Sequence, residues 1–157
     1  MKTKLIKTTI TSVLFACALV SLIAAMALGT SGSARADDTG QTCGLQTLSG
    51  SYVFTAHGFN IVSGVAQPKA IVEGIDFNGD GTLSVPFATV SINGVIIVVP
   101  PGGVGTYTLD ASCEGTLTFT SGPVNYNISV RPNGREIWMI QTDSNTVFEG
   151  TAEKVAR

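Results

Sequence analysis

The sequence predicts an all-β protein, a single small antiparallel β-barrel of about eight or nine strands, with a two-sheet β-sandwich as the alternative. Three observations carry this. From Gly50 onward, short runs rich in Val, Ile, Thr, Tyr and Phe recur at the spacing of about 8 to 12 residues found in barrels and sandwiches. Clusters of Gly, Asn, Asp and Pro separate those runs. No amphipathic helical stretch competes with them.

In chain order the predicted strands are Ser51–Phe59, Ala70–Phe77, Thr82–Ser91, Val95–Val99, Gly105–Asp110, Gly115–Thr120, Val124–Arg131, Glu136–Thr142 and Val147–Lys154. Asn78-Gly79-Asp80-Gly81, Asn93-Gly94, Pro132-Asn133-Gly134 and Asp143-Ser144-Asn145 supply turn residues that tolerate positive φ. Strands joined this closely are antiparallel. Alternation assigns inward faces: Leu117 and Phe119 share a side with Gly115, and Tyr126, Ile128 and Val130 oppose Asn127, Ser129 and Arg131.

Val95-Ile96-Ile97-Val98-Val99 does not alternate, so it is expected to be buried on both faces or to lie against a partner. Closing the sheet into a barrel is the expected shelter for it, and Gly74, Gly105, Gly115 and Gly150 suit sharply coiled strands.

The domain follows an export segment. Lys2, Lys4 and Lys7 precede an apolar stretch from Ile10 to Leu28, and Ala34-Arg35-Ala36 forms an A-x-A site. Residues 1–36 therefore read as a cleaved signal peptide, 37–49 as a flexible lead-in pinned at Cys43, and 50–157 as the barrel. An uncleaved anchor and a lipoprotein box at Leu14–Cys17 are the weaker readings. Cutting at Cys17 would leave Ala18 to Leu28 as an apolar terminus. The expected location is the periplasm or the medium, with no stable membrane span after cleavage.

Nine basic residues face eleven acids in the full chain, but Lys2, Lys4, Lys7 and Arg35 leave with the signal. Five basic residues and all eleven acids remain, a net charge of −6. Such a domain has no basic cluster for nucleic acid or anionic membrane surfaces. Cys17 departs as well, leaving Cys43 and Cys113, which in an oxidising compartment read as a disulfide.

Gly50–Phe54, Gly105–Leu117, Glu136–Asp143 and Gly150–Ala152 resemble a widespread group of small secreted bacterial proteins, similar in shape to the allene oxide cyclase and dirigent barrels of the lipocalin-like (calycin) class. The resemblance spans most of the mature chain, and its motifs are turns, a Cys and core positions. It implies a barrel. In the cyclase relatives the interior takes an apolar substrate and polar or acidic side chains steer ring closure, but no local motif carries those residues onto this chain.

Candidate site residues come from the strands. Glu73 shares a face with Ile71, Ile75 and Phe77; turned inward, its carboxyl would be raised in pKa and serve as an acid or anchor, and turned outward it would be an edge charge. His57, the one histidine, excludes multi-histidine zinc sites and triads; it reads as a partly exposed strand residue, with a general base paired to Glu73 as the alternative. Tyr52, Tyr107, Tyr126 and Trp138 are candidate ligand-lining aromatics, and Tyr52 and Tyr126 are also candidate catalytic groups. Asp76, Asn78 and Asp80 match the first half of an EF-hand loop, but position twelve is Phe87 and the loop follows a strand, so a hairpin turn is expected. No phosphate loop, nucleophile elbow or metal-ligand cluster is present, and no cofactor is expected.

Two functions follow. One is a secreted barrel binding a small apolar molecule or an envelope partner. The other is a cofactor-free cyclase or isomerase acting in the cavity.

Overall fold

Leucine, valine and aromatic side chains at every second position of the β-prone runs demand one buried face per strand, and the chain meets that demand by closing the sheet on itself. The structure is a computed structural model that describes residues 42–156. The export segment and residues 37–41 of the lead-in lie outside the described residues. The strands are β1 (Ser49–Val62), β2 (Val65–Asn78), β3 (Thr82–Ile92), β4 (Val95–Val99), β5 (Gly103–Leu109), β6 (Glu114–Phe119), β7 (Val124–Val130), β8 (Glu136–Gln141) and β9 (Thr146–Lys154).

Eight of them form an antiparallel ring in the order β1-β2-β3-β5-β6-β7-β8-β9, and β9 returns to β1. This is the expected barrel and not the sandwich. Gly150 shows why small residues are needed in a ring this tight: a Cβ there would lie 2.1 Å from the Thr55 carbonyl oxygen on the neighbouring strand. The inward faces agree with the alternation, with Leu117, Tyr126, Ile128 and Val130 all buried. Most outward positions on β5 to β9 are polar, among them Thr106, Thr116, Asn127, Ser129 and Glu149, and Val104, Trp138, Ile140 and Val147 are exposed apolar residues scattered between them. On these strands the outer face lacks the continuous apolar band of a lipid-facing barrel.

Two expectations change. β1 and β2 run on as a hairpin to Val62 and Val65, because Ser63 and Gly64 both take positive φ (51° and 80°) and turn the chain tightly. β4 is not sheltered. It lies outside the ring, paired to Ala88–Ile92 of β3, and Val95 to Val99 are all exposed. The physical reason is that β3 divides its outer edge between two partners: Thr82–Val85 bond β5, Ala88–Ile92 bond β4, and Pro100-Pro101-Gly102 break the strand between them.

One end of the barrel is closed. The rings of Tyr52, Phe77 and Tyr107 meet edge to face at centroid distances of 5.1 Å. The Tyr107 hydroxyl donates to the carbonyls of Leu45 and Leu48 at 2.8 and 3.1 Å, and the Tyr52 hydroxyl donates to the Gly134 carbonyl. These acceptors order the lead-in from Cys43 onward into a 3-10 turn, Leu45–Thr47, with Leu48 fully buried beneath it. Cys43 and Cys113 form the disulfide that ties this plug to the β5–β6 connection, with Cα atoms 5.0 Å apart and a separation of 70 positions in sequence. Closing a loop of that length stabilises the fold by about 4 kcal/mol on the chain-entropy account.

Candidate functional site

The other end is open. There the upper halves of β2 and β3, the β4 flap and the β6–β7 hairpin enclose a cavity of about 350 Å³. Its walls are apolar: Ile71, Ala88, Val90, Ile97, Phe119 and Val124. Register explains the lining, because Ala88 lies opposite Val99 and Val90 opposite Ile97, which turns one side of the otherwise exposed flap toward the barrel.

Polar side chains interrupt this surface, Lys69 and Ser121 with Glu73 and Tyr126, and the last two are buried. Glu73 stands opposite Phe54 in the β1–β2 ladder and is 7 % exposed, the one buried charged residue among those described. Burial strips water from its carboxylate and pushes its pKa up to about 7, while the positive charge of Lys69 pulls partly the other way. Tyr126 is buried, with its ring edge-on to Phe54 at 5.8 Å and to Phe119 at 6.0 Å. Burial and the negative charges of Glu73 and Asp143 raise its hydroxyl pKa, so it stays a neutral donor.

Sequence reasoning did not single out the rim. Lys69 points inward at the mouth; its ammonium donates to Gln141 Oε1 at 3.3 Å and sits 4.1 Å from the centre of the Phe148 ring. Its pKa is lowered by burial, against the opposing pull of Asp143 and Glu73. The Gln141 amide in turn donates to Asp143 at 2.8 Å, and Asp143 also accepts from the Asn125 backbone and side-chain amides at 3.0 and 2.7 Å. These bonds hold the Asp143 carboxyl below the ordinary carboxylate range. The signal was present in the strand parity, since Lys69 shares a face with Glu73, and Gln141 shares one with Met139.

The remaining candidates are placed elsewhere. Tyr52 and Tyr107 anchor the closed end through the hydroxyl bonds described above. Trp138 points outward between buried Ile137 and Met139. His57 also points outward, opposite Ala70, so the alternative His57–Glu73 acid–base pair does not form. Asp76, Asn78 and Asp80 border the β2–β3 turn, where Asp80 Oδ1 accepts from the Thr82 amide and hydroxyl at 2.9 and 2.6 Å and Asn78 donates to the same hydroxyl at 2.8 Å. Those bonds hold the Asp80 pKa down and make the loop an Asx-type hairpin turn.

Comparisons with protein-family models, with curated proteins and with solved structures returned no match.

Proposed function

We propose that the protein is an exported carrier or sensor barrel, working in the periplasm or outside the cell, that takes a small molecule with an apolar body into the open end and meets its polar end with Glu73 and Tyr126. The observation that carries this reading is the cavity of about 350 Å³ with a buried carboxyl among its apolar walls. That volume lies at the small end of ligand pockets, and a few convergent polar groups in an apolar cleft are what fix the orientation of a bound molecule.

A second reading is favoured by one specific observation, the Glu73 carboxyl poised near neutral pH beside the electrically coupled hydroxyl of Tyr126. A cofactor-free cyclase or isomerase, of the kind the resemblance to allene oxide cyclase barrels implies, needs such an acid and donor in a preorganised cavity.

Native mass spectrometry of protein exported by its own cell tests the first reading. A retained small molecule, lost in Ala88→Phe, supports it; a bare chain at every extraction condition overturns it. Turnover of that molecule that falls by about 100-fold or more in Glu73→Gln supports the second reading. Unchanged turnover removes Glu73 from the chemistry.

A further inference from the structure

The outer face of the barrel carries a second concavity, an open groove of about 850 Å³ running across β5 to β9. Cross-strand register arranges its side chains in two rows. One row runs Thr108, Thr116, Asn127, Ile140 and Glu149. The other runs Glu114, Ser129, Trp138 and Thr151. Side chains within a row repeat at the inter-strand spacing of about 4.8 Å, close to the length of one sugar unit in an extended chain.

The centre of the groove is Trp138, 43 % exposed, where a side chain of that size is normally turned inward. It is propped in place: Arg131, bonded to Glu136 at 2.8 Å, stands 5.7 Å from the indole ring. Around it, Asn127, Ser129 and Thr151 form no side-chain hydrogen bond among the described residues, unlike Thr108 and Thr116, which bond each other at 2.9 Å. The groove lining contains Asp110, Glu114 and Glu149, and Arg131 beside the indole is already paired with Glu136. Phosphates, nucleic acids and anionic glycans are therefore poor ligands for it. Its exposed apolar side chains, Trp138 and Ile140, are too few for the core of a protein interface, since Leu109, Ile128 and Met139 in its lining are buried.

We propose that this face is a separate binding site for a neutral oligosaccharide, with a pyranose ring stacked on Trp138 and its hydroxyls bonded by Asn127, Ser129 and Glu149. The match is chemical on each count. A pyranose presents a face of C–H groups that suits an exposed aromatic ring, and its hydroxyls both donate and accept, as do the amide and hydroxyl side chains beside that ring. An open groove accepts a chain that continues past both ends, which the cavity inside the barrel, blocked at its far end by Tyr52, Phe77 and Tyr107, does not.

Trp138 is the only tryptophan in the chain, so indole emission reports this groove. The experiment titrates the folded protein with hexamers of β-1,4-linked glucose, N-acetylglucosamine, mannose and xylose, and with a galacturonate hexamer as the anionic control. A saturating emission change with at least one neutral hexamer at about 1 mM or below is expected, with the galacturonate weaker by about tenfold or more. Calorimetry on Trp138→Ala, which leaves the core untouched, should show binding abolished, and Asn127→Ala should weaken it by about fivefold or more. No change with any neutral hexamer, equal binding of the galacturonate, or undiminished binding to Trp138→Ala each overturns the proposal.

Discussion

Glu73 and Phe54 are direct partners across β1 and β2, and both side chains point into the barrel, so a carboxyl group faces the same interior as a fully buried phenyl ring. The pairing sets the character of the open end. Phe54 meets Tyr126 edge-on and supports it from behind, and Glu73 is left among apolar walls with the Tyr126 hydroxyl and with Lys69, which forms no ion pair with it.

The first prediction concerns pH. The Glu73 pKa is raised from 4.5 to about 7, so the folded state holds the proton more tightly than the unfolded chain does. Ionising it therefore costs stability. The cost is absent below about pH 4.5, grows as pH rises and is complete above about pH 7, where it amounts to about 3 kcal/mol. Glu73→Gln, which keeps the shape and removes the charge, is expected to raise stability by up to that amount at pH 8 and to change it little at pH 4. Urea unfolding of both proteins at the two pH values is the measurement, and an equal difference at both would mean that Glu73 does not titrate inside the barrel.

The second prediction separates the cavity from the fold. Ala88 is 3 % exposed, lines the cavity and is paired with both Glu73 and Val99. Ala88→Phe places a ring where the ligand would sit, while the closed end with its tyrosine hydroxyl bonds is untouched. Some overpacking is expected, at about 1–3 kcal/mol. The protein should keep its β-sheet circular dichroism and lose at least about tenfold in affinity for any molecule recovered with the wild type.

The plug gives the third prediction. Gly134 has φ +66°, and a Cβ added to it would lie 2.2 Å from the Thr47 carbonyl oxygen. It also offers its carbonyl to the Tyr52 hydroxyl. Gly134→Ala is thus strained in its own backbone and displaces the 3-10 turn, at a combined cost of about 2 kcal/mol or more. The expected outcome is a lower thermal midpoint with quenching of the near-ultraviolet tyrosine signal. Gly122→Ala is the control, since it has nothing within 4 Å and φ +129°, so it carries backbone strain without a clash.

The strands and their inward faces were legible because the chain alternates cleanly: Tyr126, Ile128 and Val130 leave no choice of side, and Asn93-Gly94 and Pro132-Asn133-Gly134 leave little choice of turn. Trp138 was harder. Ile137, Trp138, Met139 and Ile140 are all apolar, so periodicity does not say which pair faces in, and only closure of the ring decides for Ile137 and Met139. Lys69 and Gln141 were passed over because single polar residues near strand ends look like ordinary surface. Their meeting depends on β2 and β8 facing each other across the mouth, 72 residues apart in sequence. The exposure of β4 was illegible for a related reason, since a uniform apolar run carries no information about which side has a neighbour.

The last prediction follows from that strand. Among the described residues β4 bonds β3 along one edge only, and its faces differ in role: Ile97 and Val99 line the cavity, whereas Ile96 and Val98, 63 % and 73 % exposed, point away from it. A short, uncharged, apolar edge is a template for pairing with another chain, and a lysine on it is the common natural remedy. Ile96→Lys therefore should leave stability within about 0.5 kcal/mol of wild type, because it removes no buried contact. It should also raise the protein concentration at which light scattering first appears on warming. Ile97→Lys gives the contrast. One residue along, the same charge enters the mouth of the cavity near Lys69, so it should suppress ligand retention as well as aggregation. Equal effects of the two lysines on ligand retention would mean that β4 does not wall the cavity.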